Sequence, residues 1–543
     1  MFNPFRMTLS REVKTIASAA TIVAAFSFLS RVVGFIRDRI LAGHFGAGDT
    51  LDSYYAAFLV PDTIFNLLVI GAISASFIPL FSKHIHGLGG KRKAWDFTNN
   101  VVTLLGLTII VLTTILFFFA GPLAEIIAPG FGTSKQLLVA EFTRIMFISN
   151  FFLAISAVFG SVLQGLKQFL VYSFAPILYN VGIIIGALVF TDLLGPEGLA
   201  WGVVLGSAMH FLLQLVAVMS SGYRYRFLIK IKDEDTREMG RLMLPRTMGV
   251  AVNQLNAFVM VIVASTLVAG SVTVFNFAYN IQFFVVGIIG VSFAVAAFPT
   301  LSEYAARDDH QAFVAAFSNT VRQMLYFIIP STVLFLLLRA QIVRVVVGAG
   351  KFGWTETITT ADTLAFFTLS FFAQGLVFLL ARAFFAYRDT ATPFVAGLVS
   401  ACFNVIAALL FTREFGVMGL AMAFSLSSII YLVLLWLPLR QKLGSLNESV
   451  IVQSLFIISI AAIVQGVVTQ ALKTLLGSFF AIDTFTSVFF HGFIAGGIGL
   501  VVFVAITLAL KSPEAITFVH SMRRHMLHSF EPSEAAGKEQ SVL

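Results

Sequence analysis

The sequence predicts an all-α polytopic membrane protein of about fourteen transmembrane helices, in two pseudo-symmetric six-helix lobes followed by two C-terminal helices. Three observations carry this. Of 543 residues, 58% are hydrophobic and only 11% charged, against ~25% charged in soluble chains, and mean hydropathy is +0.93. The apolar residues run in blocks of roughly 20, the length of a helix crossing a bilayer core, not in the short alternating segments of barrel strands. Finally, four short motifs recur in the same order in the two halves of the chain.

The blocks fall at 19–43, 53–82, 98–120, 137–165, 170–194, 198–220, 239–268, 272–300, 316–339, 359–387, 391–412, 416–440, 448–471 and 488–511. The first contains charges and is followed by no small-residue cleavage site, so it reads as a retained helix. With the N-terminus in the cytoplasm, outside loops hold only Lys135, Arg339, Arg344, Lys351, Arg413 and Lys473 of the 35 lysines and arginines. Arg31, Arg37, Arg39, Arg144 and Arg246 lie inside spans, and the rest fall on the inside. That is the positive-inside bias, and it places both termini in the cytoplasm of a multi-pass inner-membrane protein. The formal charge of +8 follows from these loops. No basic domain or aromatic stacking module accompanies it, so no nucleic-acid partner is expected. Cys402 is the only cysteine, which excludes an intrachain disulfide.

The repeat pairs Pro79-Leu80-Phe81-Ser82 with Pro299-Thr300-Leu301-Ser302, and Phe97-Thr98-Asn99-Asn100-Val101 with Phe317-Ser318-Asn319-Thr320-Val321. It pairs Tyr179-Asn180-Val181 with Phe403-Asn404-Val405, and Ser30-Arg31-x-x-Gly34 with Pro245-Arg246-x-x-Gly249. The expected organisation is therefore an N-lobe over 1–220, a cytoplasmic linker over 221–238, a C-lobe over 239–440, two further helices over 441–511 and a cytoplasmic tail over 512–543. Six spans per copy is even, so both copies insert the same way round, with a substrate site between them.

Charge inside the spans marks that site. An arginine at the centre of a spanning helix costs ~2.5–3.5 kcal/mol, so Arg31, Arg37 and Arg39 must face water, a partner or a substrate. Arginine is the side chain best shaped to hold phosphate bidentately. Arg31, Gly34 and Asp38 share one helix face. For Arg37 to reach the same cavity, the helix must bend near Gly34, a candidate hinge, or the cavity must be wide. The alternative is that Arg37 and Arg39 snorkel to the outer interface. Asp52 precedes span two, and Asp62 and Asn66 lie one turn apart within it. Span seven carries Arg246, Asn253 and Asn256 on one stripe, and span eight Thr273, Asn276 and Asn280. Such stripes either line a cavity or glue helices together at ~0.6 kcal/mol per bond. His84-x-His86 beside a glycine-rich basic stretch lacks the spacing of a metal or phosphate loop and reads as a solvated connector. No nucleophile set, zinc spacing or carboxylate dyad is present, so the chain is not expected to be an enzyme. A membrane-embedded glycosyltransferase would need a catalytic acid on a sizeable outer loop.

With Phe28-Leu29-Ser30-Arg31-Val32-Val33-Gly34-Phe35-Ile36-Arg37-Asp38, Phe45-Gly46-Ala47-Gly48 with Asp52, Pro245-Arg246-x-x-Gly249-x-x-x-Asn253-Gln254, Gly290-Val291-Ser292 and Ala386-Tyr387-Arg388-Asp389-Thr390, the chain resembles the MurJ (MviN) family of lipid II flippases. That family belongs to the MOP exporter superfamily, with MATE drug exporters and Wzx-type polysaccharide flippases as other branches. The resemblance covers nearly the whole chain. It implies movement of undecaprenyl-pyrophosphate-linked disaccharide-pentapeptide, lipid II, from the cytoplasmic to the outer leaflet by alternating access. It implies a pyrophosphate held by cavity arginines, Arg31 and Arg37 among them, beside Asp38 and Asp52. It also implies a groove along the last two helices for the lipid tail. The sequence departs from the family pattern at Phe65 and Asn280, where relatives carry cavity arginines, and at Ile70, where they carry a glutamate. Arg246, the pseudo-equivalent of Arg31, is the candidate replacement. No cofactor is expected, and membrane potential or a monovalent cation is the expected energy source. Expected partners are lipid II or a related undecaprenyl-pyrophosphate glycolipid, membrane lipid, and cell-wall synthases. The alternatives are a flippase for another undecaprenyl-linked oligosaccharide and a MATE-like drug/cation antiporter, the latter wanting a carboxylate-led cavity.

Overall fold

The computed structural model describes residues 16–70, 73–87, 90–478 and 484–520. Every regular element among them is helical, as lipid requires of a chain that must satisfy its own backbone groups. The first six expected spans are α1 (Ile16–Phe45); a broken span of α2 (Asp49–Ala57), α3 (Leu59–Phe65) and α4 (Ile73–His86); α5 (Gly90–Phe118); α7 (Thr133–Gly165) after the short α6 (Ala120–Ile127); α8 (Phe169–Ile185), ending through the short α9 (Thr191–Leu194); and α10 (Gly198–Ser220). The rest are α11 (Glu234–Ser265), α12 (Ser271–Val286) with α13 (Ser292–Ala306), α14 (His310–Leu337), α16 (Trp354–Thr368) with α17 (Phe371–Ala386) after the short α15 (Arg339–Val346), α18 (Ala391–Phe415), α19 (Val417–Leu443), α20 (Glu448–Gly477) and α21 (Phe485–Ala509).

Nine helical stretches among the described residues are long and apolar enough to cross a membrane, ten if α16 and α17, bent by 47°, form one crossing. One stretch, Phe169–Ser220, is 52 residues long and folds back on itself, α8 packing along α10. A Cβ at Gly182 or Gly186 would collide with the backbone of Gly206 or Gly202, so two small-xxx-small faces bring these helices into backbone contact. The expected spans that fall short on apolarity are the charged α1, the broken second span and the polar first half of α11. Repeat-equivalent breaks occur in spans two and eight. A π-helical turn at Asn66–Ile70 precedes Pro79, and another at Gly287–Val291 precedes Pro299. Such turns bend a helix.

The chain divides into two compact units. The first holds the described part of Met1–Ala278 with Val346–Thr363 and Ala401–Phe424. Its aromatic core stacks Phe77 on Phe81 and Phe97, with Trp95 and Phe159 edge-on to Tyr223. The second holds Tyr279–Val345, Leu364–Ser400 and the described part of Ser425–Leu543, around Phe313, Phe317, Tyr326, Phe371 and Phe503.

One expectation is corrected. His84 does not belong to a solvated connector. α4 continues a turn past residue 82, and His84, buried, meets the equally buried Asp235 of α11 at 2.8 Å. Among the described residues no cluster of metal-ligating side chains forms.

Candidate functional site

The first unit brings several of the sequence-selected residues together around α1. α1 runs unbroken through Gly34 and packs along α8. A Cβ at Gly34 would meet Asn180 Oδ1 at 3.8 Å, which is ordinary contact. Three residues on, the Arg37 guanidinium is held on two sides. Its Nε and Nη2 donate to Asp38 Oδ1 at 3.0 and 2.7 Å, and its Nη1 donates to Asn180 Oδ1 at 2.9 Å. Asp38 is buried and Arg37 is 22% exposed. Side chains one residue apart do not normally share a helix face; the long arginine folds back across the turn to reach Asp38. Asn180 is fixed in turn by donating to Pro176 O at 3.0 Å. Arg31, two turns earlier, is half-buried.

Asp62, in the first turn of α3, is exposed. Tyr179 lies near enough to both Asp62 and Arg37 to interact electrostatically with each, and Tyr54 does so with Arg37, Asp38 and Asp62. Tyr54 and Tyr179 are thus neighbours shared by Arg37 and Asp62. Beside it, Gln254 of α11 bridges span two: it donates to Thr63 Oγ1 at 3.0 Å and accepts from Asn66 Nδ2 at 3.2 Å. Phe65, where relatives are expected to carry an arginine, is half-buried against the aromatic core.

Asp52 has a separate setting. It is 1% exposed. Its Oδ1 accepts from the Thr273 backbone N–H at 2.9 Å and the Thr273 hydroxyl at 2.7 Å, and its Oδ2 from the Gly270 N–H at 2.7 Å and Lys135 Nζ at 2.9 Å. One carboxylate therefore ties α2 to α7 and to the start of α12. Around it Lys351 N–H donates to Gly43 O at 2.9 Å, and Phe277 packs between Tyr55 and Phe352.

The remaining residues are dispersed. Asn256 accepts from Asn404 Nδ2 at 2.7 Å. Asn276 donates to its own helix at Val272 O, 2.9 Å away, and Asn280 is half-buried further along α12. Arg246 and Asn253 lie in α11, and their side chains, like that of Ile70, lie outside the described residues. Sequence reasoning missed Asn180, Gln254 and Lys135 as site residues. The signal for Asn180 was present: it and Asn404 are repeat partners, and each hydrogen-bonds the first helix of its own half.

With this geometry in place, comparison with known proteins is decisive about kinship. The family model described as lipid II flippase MurJ matches residues 41–490. The chain belongs to the MurJ lipid II flippase family. A probable lipid II flippase MurJ from Thermotoga maritima (strain ATCC 43589 / DSM 3109 / JCM 10099 / NBRC 100826 / MSB8) is 30% identical over 456 residues, 83% of this chain and 89% of that protein. One from Rickettsia prowazekii (strain Madrid E) is 27% identical over 417 residues, 76% and 82% of the two chains. Among solved structures, a lipid II flippase MurJ in an inward closed conformation superposes with a TM-score of 0.75 at 24% identity, covering 90% of this chain and 98% of that one. An inward-facing MATE family multidrug transporter of the MOP superfamily follows at 0.65 and 14%, covering 79% and 99%. These structural likenesses establish the MurJ-like fold. The family match begins at residue 41, just after Arg31, Arg37 and Asp38; the geometry above ties Arg37 to Asp38 and Asn180.

Proposed function

We infer that this chain is a lipid II flippase: it moves the undecaprenyl-pyrophosphate-linked peptidoglycan precursor from the cytoplasmic to the outer leaflet of the bacterial inner membrane by alternating access. Membership of the MurJ family across residues 41–490 carries the reading. The residues supply its chemistry. A pyrophosphate cannot enter hydrocarbon unpaired, whereas the polyprenyl chain can remain in lipid throughout. Arg31 and Arg37 are the cations we assign to the pyrophosphate. Asp38 and Asn180 take three of the five N–H groups of Arg37, which fixes the plane of the guanidinium and leaves two N–H groups to donate to a phosphate oxygen. Asp38 also holds the buried charge paired before substrate arrives.

The lysine and arginine bias supports cytoplasmic termini, and so an outer position for the Asp52 clamp. We assign all fourteen expected spans to the membrane, Gly34 to the flexing of α1, and the two six-span halves to the rocking lobes. Exposed Val452, Phe456, Ile463 and Val467 on α20 support a lipid-tail track along the last two helices. Cell-wall synthases are the partners this reading calls for. An inside-negative potential would draw the cavity cations inward, at ~2.3 kcal/mol per charge per 100 mV; flipping that runs at an unchanged rate in depolarised vesicles would remove this coupling.

The test is complementation of cells depleted of their own lipid II flippase, with outward lipid II followed directly. The expected result is rescue by this chain and loss of rescue with Arg37→Ala, at normal membrane levels of protein. Rescue by both Arg31→Ala and Arg37→Ala would remove the pyrophosphate assignment. Failure of the well-inserted wild-type chain would remove lipid II as the substrate.

A further inference from the structure

Arg144 is a span cation that the transport reading leaves unused. α5 and α7 pack side by side, and between them runs a groove of about 440 Å³. Its walls are Ile110, Thr114 and Phe117 of α5 and Arg144, Phe147 and Phe151 of α7, each set spaced to one helix face. Ile110 and Phe117 are 47% and 45% exposed, so the groove opens away from the protein.

Of the residues lining the groove, Arg144 carries the one charge, and it lies at one end. Arg144 Nε points at Phe117 O, 3.4 Å away, and its guanidinium lies 5.6 Å from the Phe117 ring centre. Phe117 is the penultimate residue of α5, so its carbonyl is one of those a helix end leaves without an intrahelical partner, at the negative end of the dipole. The arginine is thereby held at the membrane boundary. From it the groove descends past Phe147 to Phe151, two turns or about 10 Å into the membrane. Glu141 lies one turn from Arg144 in the opposite direction, toward water, on the same face and exposed.

Read from water inward, the order is carboxylate, guanidinium, apolar trough. A phosphoethanolamine lipid has the complementary order of ammonium, phosphate, acyl chain. We propose that the α5–α7 groove binds one such lipid in the leaflet at this end of the bundle, with its phosphate on Arg144, its ammonium on Glu141 and one chain along Phe147 and Phe151. A phosphoglycerol lipid would satisfy Arg144 but set its net negative charge beside Glu141. A phosphocholine lipid has no N–H to donate to Glu141.

Native mass spectrometry of the delipidated full chain, titrated with dioleoyl phosphatidylethanolamine, phosphatidylglycerol or phosphatidylcholine, tests this. The wild-type chain should retain one ethanolamine lipid at roughly tenfold lower concentration than either competitor, a 1.4 kcal/mol preference. Arg144→Ala should lose that lipid. Glu141→Gln should keep a lipid but lose the preference for ethanolamine over glycerol headgroups. Glu141 is exposed, so Glu141→Gln should match the wild type in monodispersity and thermal unfolding in lipid-free detergent; Arg144→Ala, which also gives up the bond to Phe117 O, should stay monodisperse and melt within a few degrees of it. Wild-type retention by Arg144→Ala, or a phosphatidylglycerol preference that ignores Glu141→Gln, would overturn the proposal. The result is independent of which glycolipid is flipped.

Discussion

Two polar seams in the first unit are built on opposite plans. At the loop end containing residues 46–49 and 266–271, Asp52 alone receives four hydrogen bonds from Gly270, Thr273 and Lys135. At the other end the chain leaving α10 is strapped down by several side chains. Asn99 takes Arg224 O at 3.1 Å and Arg226 N–H at 3.1 Å. Asn100 takes Lys230 O at 3.2 Å, Lys230 N–H at 2.7 Å and Thr236 Oγ1 at 2.8 Å. His84 meets Asp235 a turn further on. The first seam concentrates its bonds on one buried carboxylate, and the second spreads them over two asparagine amides and the His84–Asp235 contact. A concentrated seam is all-or-none and a distributed one yields piecemeal. In a carrier that alternates access, the first plan suits a gate and the second a fixed strap.

The largest expected effect is therefore at Asp52. Asp52→Ala leaves the Gly270 and Thr273 N–H groups and the Thr273 hydroxyl buried without an acceptor, and Lys135 with the exposed Asp49 as its remaining carboxylate, a loss of about 3–5 kcal/mol. A shift of that size is enough to invert a two-state population. With Cys402 replaced by serine and a cysteine placed at Ser271, now buried beside the clamp, an impermeant maleimide should label the Asp52→Ala chain at least tenfold faster than its parent. Asp52→Asn keeps the shape and one acceptor, and should fall between. Equal labelling of all three would mean that the clamp is not what closes this end.

The strap should respond differently. Asn100→Ala removes three bonds but leaves those of Asn99 in place. Since a typical intramolecular bond is worth about 0.5–1.5 kcal/mol, the expected result is a melting temperature lower by a few degrees, labelling at residue 271 unchanged, and flipping largely retained. If Asn100→Ala opened the Asp52 end as far as Asp52→Ala does, the two seams would be one coupled device and the contrast would fail.

The same contrast explains what could be read in advance. Helical and apolar features are local, so the all-helical fold, its long apolar helices and the charged α1 were legible. The repeat even marked the strap, since Asn99 and Asn100 belong to a repeated motif, and it marked Asn180 and Asn404. What stayed hidden depends on pairing across long separations. Nothing in the neighbourhood of Asp52 announces Lys135 or Thr273 as partners, and nothing beside Asn66 announces Gln254. His84 was misread because its environment is set by α11, some 150 residues away in sequence.

The smallest expected effect lies in the second unit, where a charged pair sits within a distributed set. Glu514, at the start of the helix over 513–520, accepts from Ser512 and Ser454 at 2.6 and 2.8 Å and pairs with Arg322 at 3.0 Å. Burial alone would raise its pKa, but the hydrogen bonds and the Arg322 charge outweigh that and hold it below the ordinary glutamate value. A lowered folded-state pKa means that ionised Glu514 stabilises docking above the unfolded value, about 4.3, and that this contribution fades as pH falls through the lowered one. Limited proteolysis near residue 511 should thus be slow at neutral pH and quicken only below about pH 4. Glu514→Gln should remove that dependence while leaving label access at residue 271 unchanged. Because Ser454 still accepts from Arg322 and Ser512 from the Ala515 N–H, each at 3.5 Å, the acceleration should be modest; collapse of the whole unit would show instead that this seam, like Asp52, is built on a single charge.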